Sequence, residues 1–218
     1  MTSTVAISSL SVPQIRSLSA ATIASWSAED LAQLSAQQVS ALSANQVAAL
    51  ESDGISSLSD TQLRAISSKA MIGLTLDQLG ALSPERIAGL AAAQISALSS
   101  AQVGSFTTGQ SEALTSSQVA GLSATQLAAF SVEDLATFST ADIAAISPKA
   151  IKGLSAAQIA SLSSEQFVAL KPTQIIALRS FQMAAVTPSQ LAALTTTQIS
   201  NLNAAQVASL TVQAVSAL

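Results

Sequence analysis

Leu42-Ser43-Ala44-Asn45-Gln46-Val47-Ala48-Ala49 is the eight-residue phrase that decides the fold, because the chain repeats it without insertion or deletion. Counting in eights from Leu10 to Leu218 meets a large apolar residue every time. Trp26, Ile66, Phe106, Phe130, Phe138, Ile146 and Val186 are the replacements for leucine. Written from that residue, the phrase is L-[ST]-x-x-Q-[IVL]-x-[AGS], and Leu154-Ser155-Ala156-Ala157-Gln158-Ile159-Ala160-Ser161 is a second clear copy. Its positions are numbered 1 to 8 below, so that leucine is position 1, glutamine position 5 and the following Ile, Val or Leu position 6. A fixed period of this kind predicts a one-dimensional array in which each unit packs on its neighbours.

Ser or Thr followed three residues later by Gln is a capping box. The hydroxyl accepts from a free amide of the first helical turn, and the glutamine reaches back to the cap amide. The leucine before the cap and the apolar residue at position 6 stand where a hydrophobic staple would place them. Each octad therefore predicts a helix start. Proline agrees: Pro84, Pro148, Pro172 and Pro188 fall on the first helical position, and Pro13 falls one residue later, where amides have no helical partner. Acidic side chains agree as well, since a helix start attracts negative charge. Glu29, Asp30, Glu51, Asp53, Asp60, Asp77, Glu85, Glu133, Asp134, Asp142 and Glu165 lie on the cap or first turn, and only Glu112 does not. Arg16, Arg64 and Lys152 lie near helix ends, whereas Lys69, Arg86, Lys149, Lys171 and Arg179 follow no electrostatic rule.

Rival architectures fail on geometry. In one continuous helix, residues eight apart rotate by about 80°, so no apolar stripe forms. In a strand, the five-residue step from Leu42 to Val47 puts the two apolar positions on opposite faces. A β-solenoid needs Gly or Asn at a constant turn position, which this chain lacks. The expected fold is all-α: a solenoid or superhelix of very short helices, one per eight-residue repeat, with about three or four repeats per turn. Residues 1–218 are expected to form a single continuous octad-repeat solenoid. Helices of about five or six residues do not survive alone in water, so stacking is obligatory. Leucine and isoleucine should lie inside, with Ser, Thr and Gln outside. Small residues before the leucine, such as Ala41, Gly73, Gly89, Gly121, Gly153 and Ala217, should let successive helices approach where the chain turns. Two octads are weak: Leu50-Glu51-Ser52-Asp53-Gly54 lacks the box, and Ser111 stands at an apolar position, where it is expected to be a tolerated surface or bend defect partly filled by Phe106. Trp26, Phe106, Phe130 and Phe138 are expected to fill core, whereas Phe181 stands at a mostly polar position and could mark a contact patch.

Apolar residues make up 49% of the chain and charged residues 9%, so the surface should be polar and nearly uncharged. Eight basic against twelve acidic side chains, with no basic run, argue against nucleic acid. Ser, Thr or Gln returns every few residues, which excludes a membrane-spanning helix. The amino end lacks the basic start and apolar stretch of a secretory signal. The missing cysteine decides nothing about compartment. Without His, Cys or Tyr, the commonest general base, thiol nucleophile and soft metal ligands are absent. Glu29-Asp30 and Glu133-Asp134 are the nearest acidic pairs, but adjacent helical residues diverge by about 100°, and both pairs sit at helix starts. No catalytic, cofactor-binding or metal-binding residue is predicted, no cofactor is expected, and the chain is not expected to be an enzyme.

The runs Ala41-Leu42-Ser43-Ala44-Asn45-Gln46-Val47-Ala48-Ala49-Leu50 and Ala193-Leu194-Thr195-Thr196-Thr197-Gln198-Ile199 resemble the octads of very long bacterial repeat proteins labelled adhesin, haemagglutinin or haem-utilisation. The resemblance runs the length of the chain and carries no catalytic residue over. It implies an extracellular or cell-surface setting and a spacer or adhesive rod. Glu51, Ala91, Lys171 and Arg179 depart from it by losing the cap hydroxyl. The expected function is a structural rod or stalk segment. The alternatives are a self-assembling filament subunit, or a surface whose rows of Ser, Thr and Gln bind a glycan, a protein or ice. The expected partners are the chain itself end to end or neighbouring repeats of a longer chain.

Overall fold

A computed structural model describes residues 7–216. Among them are 25 α-helices of four to six residues and two short 3-10 helices, with no strand. The chain divides into two compact units, Met1–Phe106 and Thr107–Leu218.

The local logic is the same in both units. In the helix Ala44–Ala49, the cap Ser43 is extended (φ −82°, ψ 165°). Its amide donates to Gln46 Oε1 at 2.8 Å, and its Oγ accepts from the Gln46 amide at 3.3 Å. At the other end, the Leu50 amide closes on the Val47 carbonyl at 3.2 Å, and Leu50 itself is extended, with ψ 143°. The chain thus bends at the leucine–serine junction using ordinary dihedrals. No described residue, glycine included, has positive φ. The acidic residues predicted for helix starts lie there, with Glu51 as an N-cap. The helices behind Glu51, Ala91, Lys171 and Arg179 form despite the lost hydroxyl. Behind the last three, the glutamine alone holds the cap amide, at 2.6–2.9 Å. The exception is the octad of Pro148: Pro148–Ala150 form a turn and Ile151–Gly153 a 3-10 helix, so no α-helix starts at that proline.

Within each unit, a helix packs against the one three octads on. In the first unit, Ala20–Ala24 meets Ala44–Ala49, and Ala36–Val39 meets Asp60–Ala65. In the second, Ser116–Ala120 meets Thr140–Ala145, and Ser164–Val168 meets Pro188–Ala193. Bonds made by the glutamine, described below, reach into octads three and four earlier. Within each unit a superhelical turn therefore takes between three and four octads.

Positions 1 and 6 form the core. Val47, Ile55, Ile87, Ile143, Ile159 and Ile175 are all fully buried. Phe130 and Phe138, in successive octads, meet edge to face with centroids 5.3 Å apart, a geometry favoured by the ring quadrupole. Trp26 departs from the expected core role. It is only half-buried, as are Leu10 and Leu18, because it lies in the first described coil. Ser111 is not at the surface either: it is 1% exposed, and its hydroxyl has no hydrogen-bond partner. The small residue at position 8 serves the coil beneath rather than the next helix. A Cβ on Gly73 would fall 2.0 Å from the Ala44 carbonyl oxygen, and one on Gly153 2.0 Å from that of Ala124, each 29 residues earlier. At Gly89 the nearest atom would be Arg64 Nη2 at 3.7 Å, so that glycine is not obligatory.

Candidate functional site

Glutamine at position 5 is not outside, contrary to the expectation from its polarity. Gln46, Gln62, Gln78, Gln94, Gln174, Gln182 and Gln190 are all buried, and Gln182 is fully so. Position 5 faces the preceding coil, and the amide has two jobs there. Its Oε1 accepts from the cap amide of its own octad. Its Nε2 donates to main-chain carbonyls of the coil before.

Gln46 Nε2 bonds Ile15 O at 2.8 Å and Leu18 O at 3.0 Å, 31 and 28 residues back. Gln62 repeats this on Leu31 and Leu34, Gln94 on Leu63 and Ile66, and Gln102 on Met71 and Leu74. In the second unit, Gln166 ties Leu135 and Phe138, Gln174 ties Ile143 and Ile146, and Gln206 ties Ile175 and Leu178. The acceptors are the carbonyls of positions 6 and 1, at the end of a helix and at the bend after it. A helix leaves its last four carbonyls without an internal partner, which for a helix this short is most of them. The amide from the next coil reaches two per octad: the position-1 carbonyl, and the position-6 carbonyl, which also accepts from the amide of the following position 1. Each bond contributes about 0.5–1.5 kcal/mol net, and a stranded buried partner costs about 1–3 kcal/mol.

Substitutions at position 5 show what the site requires. Arg86 keeps the donor: Nη1 bonds Ser56 O at 2.7 Å, Nη2 bonds Leu58 O, and Nε lies 3.7 Å from Asp60 Oδ1. This accounts for one of the five basic residues that the sequence leaves unexplained; Lys69 lies in the last turn of the helix Ser68–Met71, where the dipole favours a cation, and nothing in the structure explains Lys149, Lys171 or Arg179. Asp30, Asp134 and Asp142 keep only the acceptor half, taking the cap amides of Ser27, Ser131 and Ser139 at 3.0–3.1 Å. Asp142 adds a bond from Ser116 Oγ at 2.7 Å, in the coil before it. The pairs Glu29-Asp30 and Glu133-Asp134 are thereby divided, one member a cap partner and the other exposed. At the helix starts of Glu85 and Glu165, hydrogen bonds lower both carboxyls below the usual range. For Glu85 the Ser83 side chain is the larger cause and its own amide the smaller; for Glu165 its own amide leads and Ser163 follows.

A sequence signal for the buried tie exists. A capping box accepts Glu as readily as Gln, yet no octad carries Glu at position 5. A carboxylate accepts but cannot donate, so the predominance of glutamine, with Asp only at Asp30, Asp134 and Asp142, marks a position that uses both functions in most octads. Among the described residues, no group of three or more His, Cys, Asp or Glu side chains gathers as a metal site, and no helix is long and apolar enough to cross a membrane. Phe181 is 48% exposed, and Ile176 is similarly exposed.

Three stretches, residues 47–84, 76–108 and 135–172, match the family model of the ALTTAQ repeat. No curated protein matches the chain. The chain is an all-α repeat protein, similar over those stretches to the ALTTAQ repeat.

Proposed function

We propose that this chain is a structural rod or stalk segment of a bacterial cell-surface or secreted repeat protein of the adhesin-like kind. The single observation that supports the reading is the glutamine tie. Within each unit, successive coils are held by main-chain carbonyls and a buried amide at most octads that carry glutamine at position 5, so load passes from coil to coil through hydrogen bonds as well as apolar contact. The chemistry is spent on cohesion: glutamines such as Gln46, Gln94, Gln174 and Gln190 accept from their own cap amide and donate to the coil before. The extracellular setting follows from the resemblance of the octads to long bacterial repeat proteins. On this reading the partners are neighbouring octads of the same array or another copy end to end, with no membrane span, nucleic acid or cofactor, and no catalysis.

Small-angle X-ray scattering at low protein concentration tests it. A stalk segment should give a radius of gyration well above the roughly 17 Å expected for a globular chain of this length. A value near 17 Å ends the proposal.

A further inference from the structure

The outward face of the second unit changes character after Asp142. The whole chain has a net charge of −4, yet beyond that residue Lys149, Lys152, Lys171 and Arg179 stand against a single carboxylate, Glu165. All four cations are exposed. Lys171 and Arg179 are the N-caps of successive helices, where their side chains make no cap bond and a cation opposes the helix dipole. They gain nothing inside the fold. Two large apolar side chains are exposed beside them, Ile176 at 46% and Phe181 at 48%. Phe181 is the only aromatic residue at position 4 of an octad. The following coil is already in place over both: Pro172–Ala177 packs against Thr196–Ser200, and Ser180–Met183 against Ala204–Ser209. Ile176 and Phe181 therefore face solvent from outward positions, with no further octad due to cover them.

The fold brings these residues to one place. Ile176 and Phe181 flank the bend at Leu178, with Arg179 between them in the chain, and both sides of that bend rest on the octad of Lys149 and Lys152. Pro172–Ala177 packs on the 3-10 helix Ile151–Gly153, while Gln182 Nε2 bonds Ile151 O at 2.9 Å and Leu154 O at 2.8 Å. We infer that this face docks on an anionic lipid bilayer, with Ile176 and Phe181 entering the headgroup boundary and Lys149, Lys152 and Arg179 pairing with lipid phosphates. Charge complementarity selects an anionic surface, since each cation held near one strengthens partition by roughly five-fold. The apolar pair selects a bilayer, which takes both side chains out of water, whereas a soluble polyanion leaves them in it. The first unit carries the opposite pairing. Ile72 and Leu76 are 60% and 51% exposed, but Asp77 follows them, and the helix Leu76–Gly80 packs on Ser52–Ser57, which holds Asp53 behind its cap Glu51. Those carboxylates repel an anionic surface, so the first unit supplies an internal control. The inference does not rest on the rod reading, because flotation with vesicles reports the face and is indifferent to the length of the particle.

The test is flotation of the 218-residue chain with vesicles of phosphatidylcholine alone and of phosphatidylcholine mixed equally with phosphatidylglycerol, beside retention on heparin as a soluble polyanion. The parent chain should float with the anionic vesicles and bind the neutral ones at least about ten-fold more weakly. Lys149→Gln with Arg179→Gln should weaken anionic binding by about 25-fold, from two charges at roughly five-fold each. Ile176→Ser with Phe181→Ser should weaken it by at least about ten-fold, through lost apolar burial. Ile72→Ser with Leu76→Ser, in the first unit, should change it by less than about two-fold. All six changes fall on exposed residues, and circular dichroism checks the folding of each variant. Failure to float with anionic vesicles, equal binding to neutral ones, an apolar variant that binds like the parent, or a first-unit variant that loses binding as the second-unit variant does each overturns the inference. Heparin retention without flotation also overturns it, and assigns the face to a polyanion instead.

Discussion

The first and last described coils are built from the same octad yet bury opposite halves of it. Ile15 is sealed where Gln14 is bare, while Gln206 is sealed where Val207 is half in water. The contrast teaches that an octad is not a helix with one greasy side. Position 5 looks to the coil before and position 6 to the coil after, so each residue's burial depends on a neighbour about 30 residues away. Position 1 touches both, which is why Leu10, Leu18, Leu202 and Leu210 are all only partly covered.

The largest break in this comparison comes at position 6. Ile159→Ala, in a fully buried side chain, should cost about 2–5 kcal/mol. Val215→Ala, on the uncovered face, should cost well under about 1 kcal/mol. Urea unfolding of the two variants checks the ratio, and equal losses would show that the last coil is covered in solution. Next comes position 5. Gln174→Glu keeps the acceptor for Lys171 but removes the donor to Ile143 and Ile146, so it should cost at least about 1–3 kcal/mol at neutral pH. The same change at exposed Gln14 should stay within about 0.5 kcal/mol. Burial without a donor raises the new carboxyl's pKa in the folded state. The Gln174→Glu variant should therefore regain stability as pH falls and the protonated acid donates again, which unfolding at pH 7 and pH 4 would read.

A third pair sharpens the role of the face toward the preceding coil. Gly153→Ala drives a methyl into the Ala124 carbonyl and should destabilise by about 1–3 kcal/mol. Gly80, with nothing within 4 Å of its would-be methyl, should gain up to about 1 kcal/mol as alanine. Thermal melts separate the two signs. The smallest effect is at Ser111, where the receiving face carries a stranded hydroxyl. Ser111→Val removes it and adds apolar surface, so the midpoint of unfolding should rise, by about 1 kcal/mol in stability; a fall would mean that the site has no room for the extra methyl groups.

Much of this was legible in the residues, and the reasons are local. Ser43 and Gln46 declare a helix start because both ends of a capping box lie within one turn. The period of eight, with Leu42 and Val47 five apart, excludes a strand and a continuous helix by rotation alone. The misreadings concern what lies across the coil. Gln46 looks like a surface residue when only its own octad is considered, because the carbonyls of Ile15 and Leu18 that bury it are far away in sequence. Gly73 looks like an adaptor to the next helix, whereas the atom it avoids is Ala44 O. Arg86 looks misplaced on a helix dipole until Ser56 and Leu58 are found beneath it.

The sequence by itself determined where the helices begin in every octad but that of Pro148, where the chain bends and which residues are apolar enough to be buried, since caps, bends and burial preference act within a few residues. Only the tertiary structure decided which way each octad faces and how many make a turn. Those follow from which carbonyls lie within reach of an amide after the chain has come round once, a distance the one-dimensional pattern does not contain.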